Sequence, residues 1–159
     1  PGLPAGTVIT QQTLTTDIAP SLLEVCGAEP LKNIQGRSWI KMANAEDPAW
    51  RKAWFYEYNY EKQFPYTPNV RGIRTDEWKL IRYPHGDGKP DRHKAELYHL
   101  KSDPKELQNL ADSAEHTDVR QQLEKQLVEL LAAEGLTAER DTMPLDMGIK
   151  TALPDQKIR

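Results

Sequence analysis

The chain has 159 residues, 38% of them hydrophobic and 28% charged, with a formal net charge of -3. Both signs are interspersed, so there is no basic field for nucleic acid and no polybasic anchor for a membrane, and no apolar run approaches the ~20 residues that span a bilayer. The length suits one domain, yet the apolar fraction, a mean hydropathy of -0.74 and twelve prolines describe a piece that leans on missing neighbours. The start, Pro1-Gly2-Leu3-Pro4, has no initiating Met and no signal-peptide pattern, and reads as a cut inside a longer product. Cys26 is the single cysteine, which excludes an internal disulfide and a thiolate zinc site. Its place at the apolar end of a helix-like stretch predicts a small buried hydrophobe.

Residues 1–14 read as a loop with a brief strand at Thr7-Val8-Ile9. A helix is predicted over about 15–26. Thr15 or Thr16 is a candidate cap, Asp17 lies in the first turn, and Ile18, Leu22, Leu23 and Val25 recur at helical spacing. Gly27 is placed to close it in a left-handed conformation. Residues 28–52 are mostly irregular, with turns at Gln35-Gly36-Arg37-Ser38 and Glu46–Arg51 and a short helix at Trp39–Met42. Aromatic density predicts a strand over Ala53–Tyr58.

The stretch Arg71–Tyr83 organises the rest of the chain. Two runs rich in aliphatic and aromatic residues flank the polar turn Thr75-Asp76-Glu77, the pattern of a β-hairpin. On its second run Trp78, Leu80 and Arg82 share one face and Lys79, Ile81 and Tyr83 the other, which suits a central strand. Long loops flank the hairpin on either side, Asn59–Asn69 and Pro84–Lys94, and loops of that length are often functional. A further strand over Ala95–Leu100 leads to Asp103-Pro104, read as the capped start of a helical turn. A helix over Asp118–Glu134 presents Val119, Leu123, Leu127, Leu130 and Leu131 as one apolar stripe and ends at Gly135. Residues 136–159 show no periodicity.

The chain carries no Gly-x-Ser-x-Gly, P-loop or dinucleotide fingerprint. His85, His93, Asp87 and Asp91 share one loop, but a Gly-rich loop offers a metal little rigid geometry, so it is read as solvated and no metal ligand is assigned. Arg71 and Arg74 suit either an oxyanion clamp or an ion pair with a carboxylate. Trp54, Phe55, Tyr56, Tyr58 and Tyr60 suit either sugar stacking or sheet core. The residues alone therefore predict an α+β piece with no complete catalytic constellation.

A resemblance adds more. Arg71-Gly72-Ile73-Arg74-Thr75-Asp76-Glu77-Trp78-Lys79-Leu80-Ile81 is succeeded by Glu96-Leu97-Tyr98-His99-Leu100, then Asp103-Pro104-Lys105-Glu106 and Asn109-Leu110-Ala111, then the helix. Upstream stand Pro1-Gly2, the run Thr15–Gly27 and Gln35-Gly36-Arg37-Ser38. In this order the segments resemble the C-terminal end of the formylglycine-dependent sulfatases, with His99 where that family usually has Asp; the likeness fades after about Gly135. It implies that residues 1–52, with the helix over about 15–26, end a larger α/β core domain, that 53–135 form the C-terminal subdomain, a small antiparallel sheet of about four strands packed against a C-terminal amphipathic helix, and that 136–159 are an irregular tail. It further implies an upstream catalytic domain with a formylglycine nucleophile and calcium, and none of those motifs occurs in this chain. No catalytic residue or cofactor is expected here. The partners implied are that domain and a sulfated carbohydrate or other sulfate ester, with Tyr66, Arg71 and His85 as candidate substrate contacts. A bacterial member would be periplasmic or secreted. Two alternatives stay open: a non-catalytic carbohydrate-binding or interaction module that keeps the fold, and part of a phosphate or phosphonate ester hydrolase.

Overall fold

The computed structural model describes residues 3, 5–6, 8–44, 49–59, 69–84 and 94–141. They form two compact units, Pro1–Lys52 and Ala53–Arg159.

In the first unit a 3-10 turn, Thr15–Asp17, leads into helix α1 (Ile18–Val25), and a one-turn helix α2 covers Ile40–Ala43. No strand forms at Val8–Ile9. Neither threonine caps α1. Asp17 stands at the N-cap of α1 without a side-chain cap bond, and its Oδ2 closes the preceding 3-10 turn by accepting the Leu14 N–H at 2.7 Å. Pro20 sits in the first turn of α1, where a missing N–H costs nothing, and Gly27 closes the helix at φ 64°. Cys26 is exposed rather than buried. It lies just past the helix end on the side away from Ser21, so the packed side of α1 never reaches it.

The second unit is a sheet with one helix. β1 (Ala53–Tyr58), β2 (Val70–Thr75), β3 (Trp78–Arg82) and β4 (Glu96–His99) pair antiparallel in the order β1-β2-β3-β4. Phe55, Ile73, Leu80 and Leu97 stand in register across all four strands. On that face α3 (Thr117–Ala133) lays down Leu123, Leu127 and Leu131, and with Ala111 these residues form the core. Ile73, Leu80 and Leu97 are fully buried. Val119, Leu130 and Trp78 pack at its edge. The two periods, two in the strands and 3.6 in the helix, thus meet at one apolar layer. Gly135 ends α3 at φ 86°.

Asp103-Pro104 does not begin a helix. The segment is a run of turns in which the Asp103 carboxylate accepts the Gln108 N–H at 2.8 Å and Glu106 takes φ 55°. The segment is held to the sheet instead of continuing as a helix: Leu110 N–H donates to the Leu97 carbonyl at 2.8 Å, and Glu106 pairs with Lys79 at 2.7 Å.

Candidate functional site

The antiparallel order brings the end of β1, the start of β2, the end of β3 and the start of β4 to one end of the sheet. Residues 59–69 join β1 to β2 in sequence, and residues 84–94 join β3 to β4. Arg71 and Arg82 are direct partners across β2 and β3 at that end, and the Asp76-Glu77 turn lies at the other. Tyr66 and His85 lie outside the described residues, as do the remaining members of the His85–His93 loop.

Arg71 is only 3% exposed. Its Nη2 donates to Asp141 Oδ1 at 2.8 Å and its Nη1 to the Val70 carbonyl at 2.9 Å. Glu57 Oε2 lies 4.0 Å from Nε, which itself has no hydrogen-bond acceptor. A guanidinium taken this far from water requires such partners, because an unpaired buried charge is very costly. The carboxylate comes from the turn after α3, a pairing that strand periodicity cannot reveal. Arg71, Arg82, Leu127, Val128, Leu131 and Asp141 help line a cavity of about 360 Å3 at this end of the sheet. Arg74 is exposed.

The aromatic run of β1 divides by alternation. Phe55 joins the core, while Trp54 and Tyr56 pack on each other at 5.8 Å on the opposite face. Glu96 collects hydroxyls on that face: Tyr83 donates to Oε1 at 2.6 Å and Tyr98 donates to Oε2. Burial and that hydrogen bond push the Tyr83 phenol far up. Burial, helped by the negative charges of Glu96 and Glu106, pushes Tyr56 up to about 12. The Tyr56 and Tyr83 phenols therefore stay protonated near neutral pH.

Several residues of the motifs carry architecture. Asn109 Oδ1 accepts the N–H groups of Leu97 and Ala111, each at 3.0 Å, and its Nδ2 donates to the Ala95 carbonyl at 3.0 Å. Backbone N–H groups, Gln108 first, hold the Asp103 carboxyl below its usual range. His99 and His116, which show no partner in sequence, flank Trp78 at 4.5 and 5.6 Å, and each Nδ1 meets a serine hydroxyl, of Ser102 and Ser113.

In the first unit Asp17 is fully buried. Arg51 grips both its oxygens, with Nη2 to Oδ1 at 2.7 Å, and the Arg37 N–H donates to Oδ1 at 2.9 Å. Burial alone would raise the Asp17 pKa; Arg51 and the Arg37 and Leu14 N–H groups outweigh it and hold the carboxyl below its usual range. Arg37 and Arg51 both stack on Trp50, at 5.3 and 4.7 Å. The Gln35–Ser38 stretch is irregular rather than a turn; a Cβ on Gly36 would lie 1.9 Å from the Thr16 carbonyl oxygen, so only glycine lets this stretch approach the helix start. Among the described residues no three His, Cys, Asp or Glu side chains converge as a metal site, and no helix is long and apolar enough to cross a membrane.

The family described as N-sulphoglucosamine sulphohydrolase, C-terminal, matches residues 1–133. An N-acetylglucosamine-6-O-sulfatase of Bacteroides thetaiotaomicron is 35% identical over 133 residues, covering 80% of this chain and 22% of that protein. Among solved structures, BT4656 in complex with its substrate D-glucosamine-2-N,6-O-disulfate is similar with a TM-score of 0.64 at 28% identity, over 79% of this chain and 25% of that one. A phosphonate monoester hydrolase of Agrobacterium radiobacter shares the fold with a TM-score of 0.62 at 24% identity, over 79% of this chain and 26% of that one. The chain thus spans about a quarter or less of the length of these relatives. With the sheet, the helix and the motif residues in place, and more than half of its length matched, this chain belongs to the N-sulphoglucosamine sulphohydrolase C-terminal family.

Proposed function

We propose that the chain is the C-terminal portion of a sulfuric ester hydrolase that removes sulfate from a sulfated amino sugar or related carbohydrate. The observation that carries this reading is the family match over residues 1–133, together with a relative named N-acetylglucosamine-6-O-sulfatase and a solved structure whose substrate is a glucosamine disulfate. In this reading residues 1–52 end the core domain, 53–135 form the C-terminal subdomain and 136–159 the tail. The chain supplies scaffold and pocket walls, and the catalytic centre, with its formylglycine and calcium, belongs to the upstream domain. The described residues offer calcium no donor set, so they are given no step through that ion. The two long loops at the Arg71 end of the sheet border the substrate, with Tyr66 and His85 as contacts. Arg71, paired with Asp141, holds that end of the sheet in place. For a bacterial protein the compartment is the periplasm or the exterior.

The test is an assay of the longer protein on a glucosamine sulfate, a small aryl sulfate and a phosphonate monoester. Sulfate release from the sugar is expected, and Tyr66→Ala or His85→Ala should weaken use of the sugar far more than of the aryl sulfate. Turnover of the phosphonate alone would move the protein to the ester-hydrolase alternative, and sugar binding without turnover to the non-catalytic module.

A further inference from the structure

Helix α1 is apolar on a side that none of the described residues of its own unit covers. At 3.6 residues per turn, Ile18, Ala19, Leu22 and Val25, with Cys26 just past the end, fall within about 120° of the helix circumference. That is the width of a stripe that faces a protein core. Yet Ile18 is 52% exposed, Leu22 57% and Val25 45%, and Ala19 and Cys26 are exposed as well. The packed side of the helix is a different one, with Ser21 and the preceding Asp17 fully buried. The stripe holds no charged or strongly polar group. Three aliphatic side chains at helical spacing thus stand in water.

We infer that this stripe is a docking face for an apolar surface of the longer polypeptide, outside residues 1–159. Two facts identify the occupant. The stripe is uncharged, so its complement is apolar, and the chain spans only 22% of its Bacteroides relative, so most of such a protein lies elsewhere. The inference rests on the proposed reading in taking that longer protein as the partner, but not on its activity.

Cys26 is the probe, because it borders the stripe and is the only cysteine in the chain. Its reaction with a thiol reagent such as 5,5′-dithiobis(2-nitrobenzoic acid) is monitored in the 159-residue chain and, with any upstream cysteines identified by peptide mapping, in the longer protein. The expected result is fast modification in the chain and at least tenfold slower modification in the folded longer protein. Leu22→Asp in the longer protein should restore the fast rate, whereas Glu24→Gln, off the stripe, should not. Equal rates in the two proteins overturn the docking face even where sulfatase activity is intact. Slow modification already present in the 159-residue chain also overturns it: if that protection rises with protein concentration the cover is a second copy, and if not, the cover lies within this chain. Protection in a longer protein that lacks sulfatase activity would keep the docking face and discard the proposed activity.

Discussion

At the scale of single residues, Asp17 and the two tight glycines show how a few side chains hold the fold. Asp17→Asn leaves Arg51 without its charge partner inside the first unit, and losing one member of such a pair costs about 3–5 kcal/mol. The pH dependence has a definite sign. The folded Asp17 pKa lies below its ordinary value, so its stabilisation is complete above that ordinary value, near 3.9 in an unfolded chain, and disappears as pH falls through the lower folded pKa. Urea midpoints of the first unit should therefore fall steeply below about pH 4 in the parent and be flatter there in Asp17→Asn. The glycines differ in what they face. Gly36 abuts backbone, and Gly72 abuts the Tyr56 ring, at 2.3 Å from a would-be Cβ. Gly36→Ala should cost several kcal/mol with no rescue, since overpacking against backbone cannot be relieved by a rotamer. Gly72→Ala should be largely rescued by Tyr56→Ala, and thermal melts of the single and double variants separate the two cases.

At the scale of elements, the helix and the sheet stabilise one another through a single layer. Leu127 is 3% exposed and Val128 62%, one residue apart on α3. Leu127→Ala should cost about 2–5 kcal/mol and Val128→Ala close to nothing. Equal melting temperatures for Leu127→Ala and the parent would put that helix face in solvent. The helix and the hairpin were legible because their periods are long and regular. The turn at Asp103–Asn109 was not, because its conformation depends on hydrogen bonds to β3 and β4. Lys79 and Leu97, far off in sequence, supply the partners for Glu106 and Asn109. At the end of β4 the His99 imidazole packs on Trp78.

For the whole molecule, the isolated chain is expected to be inactive. The Cys/Ser-x-Pro-x-Arg motif of the formylglycine sulfatases is not in its sequence, and Gly27-Ala28-Glu29 stands directly after Cys26. Incubation of the purified chain with 4-nitrophenyl sulfate, with and without calcium, should release no product above background. Turnover that scales with the amount of chain would place a nucleophile within these 159 residues.

The sequence by itself determined the class of the fold, the hairpin, the leucine stripe of α3 and the family likeness, because local periodicity and ordered motifs are properties of the chain alone. The tertiary structure decided what several of the charged and aromatic side chains touch. Arg71 met Asp141 and the aromatics of β1 split between two faces. Burial, the quantity that makes an ion pair necessary or leaves a cysteine exposed, depends on what packs from far along the chain.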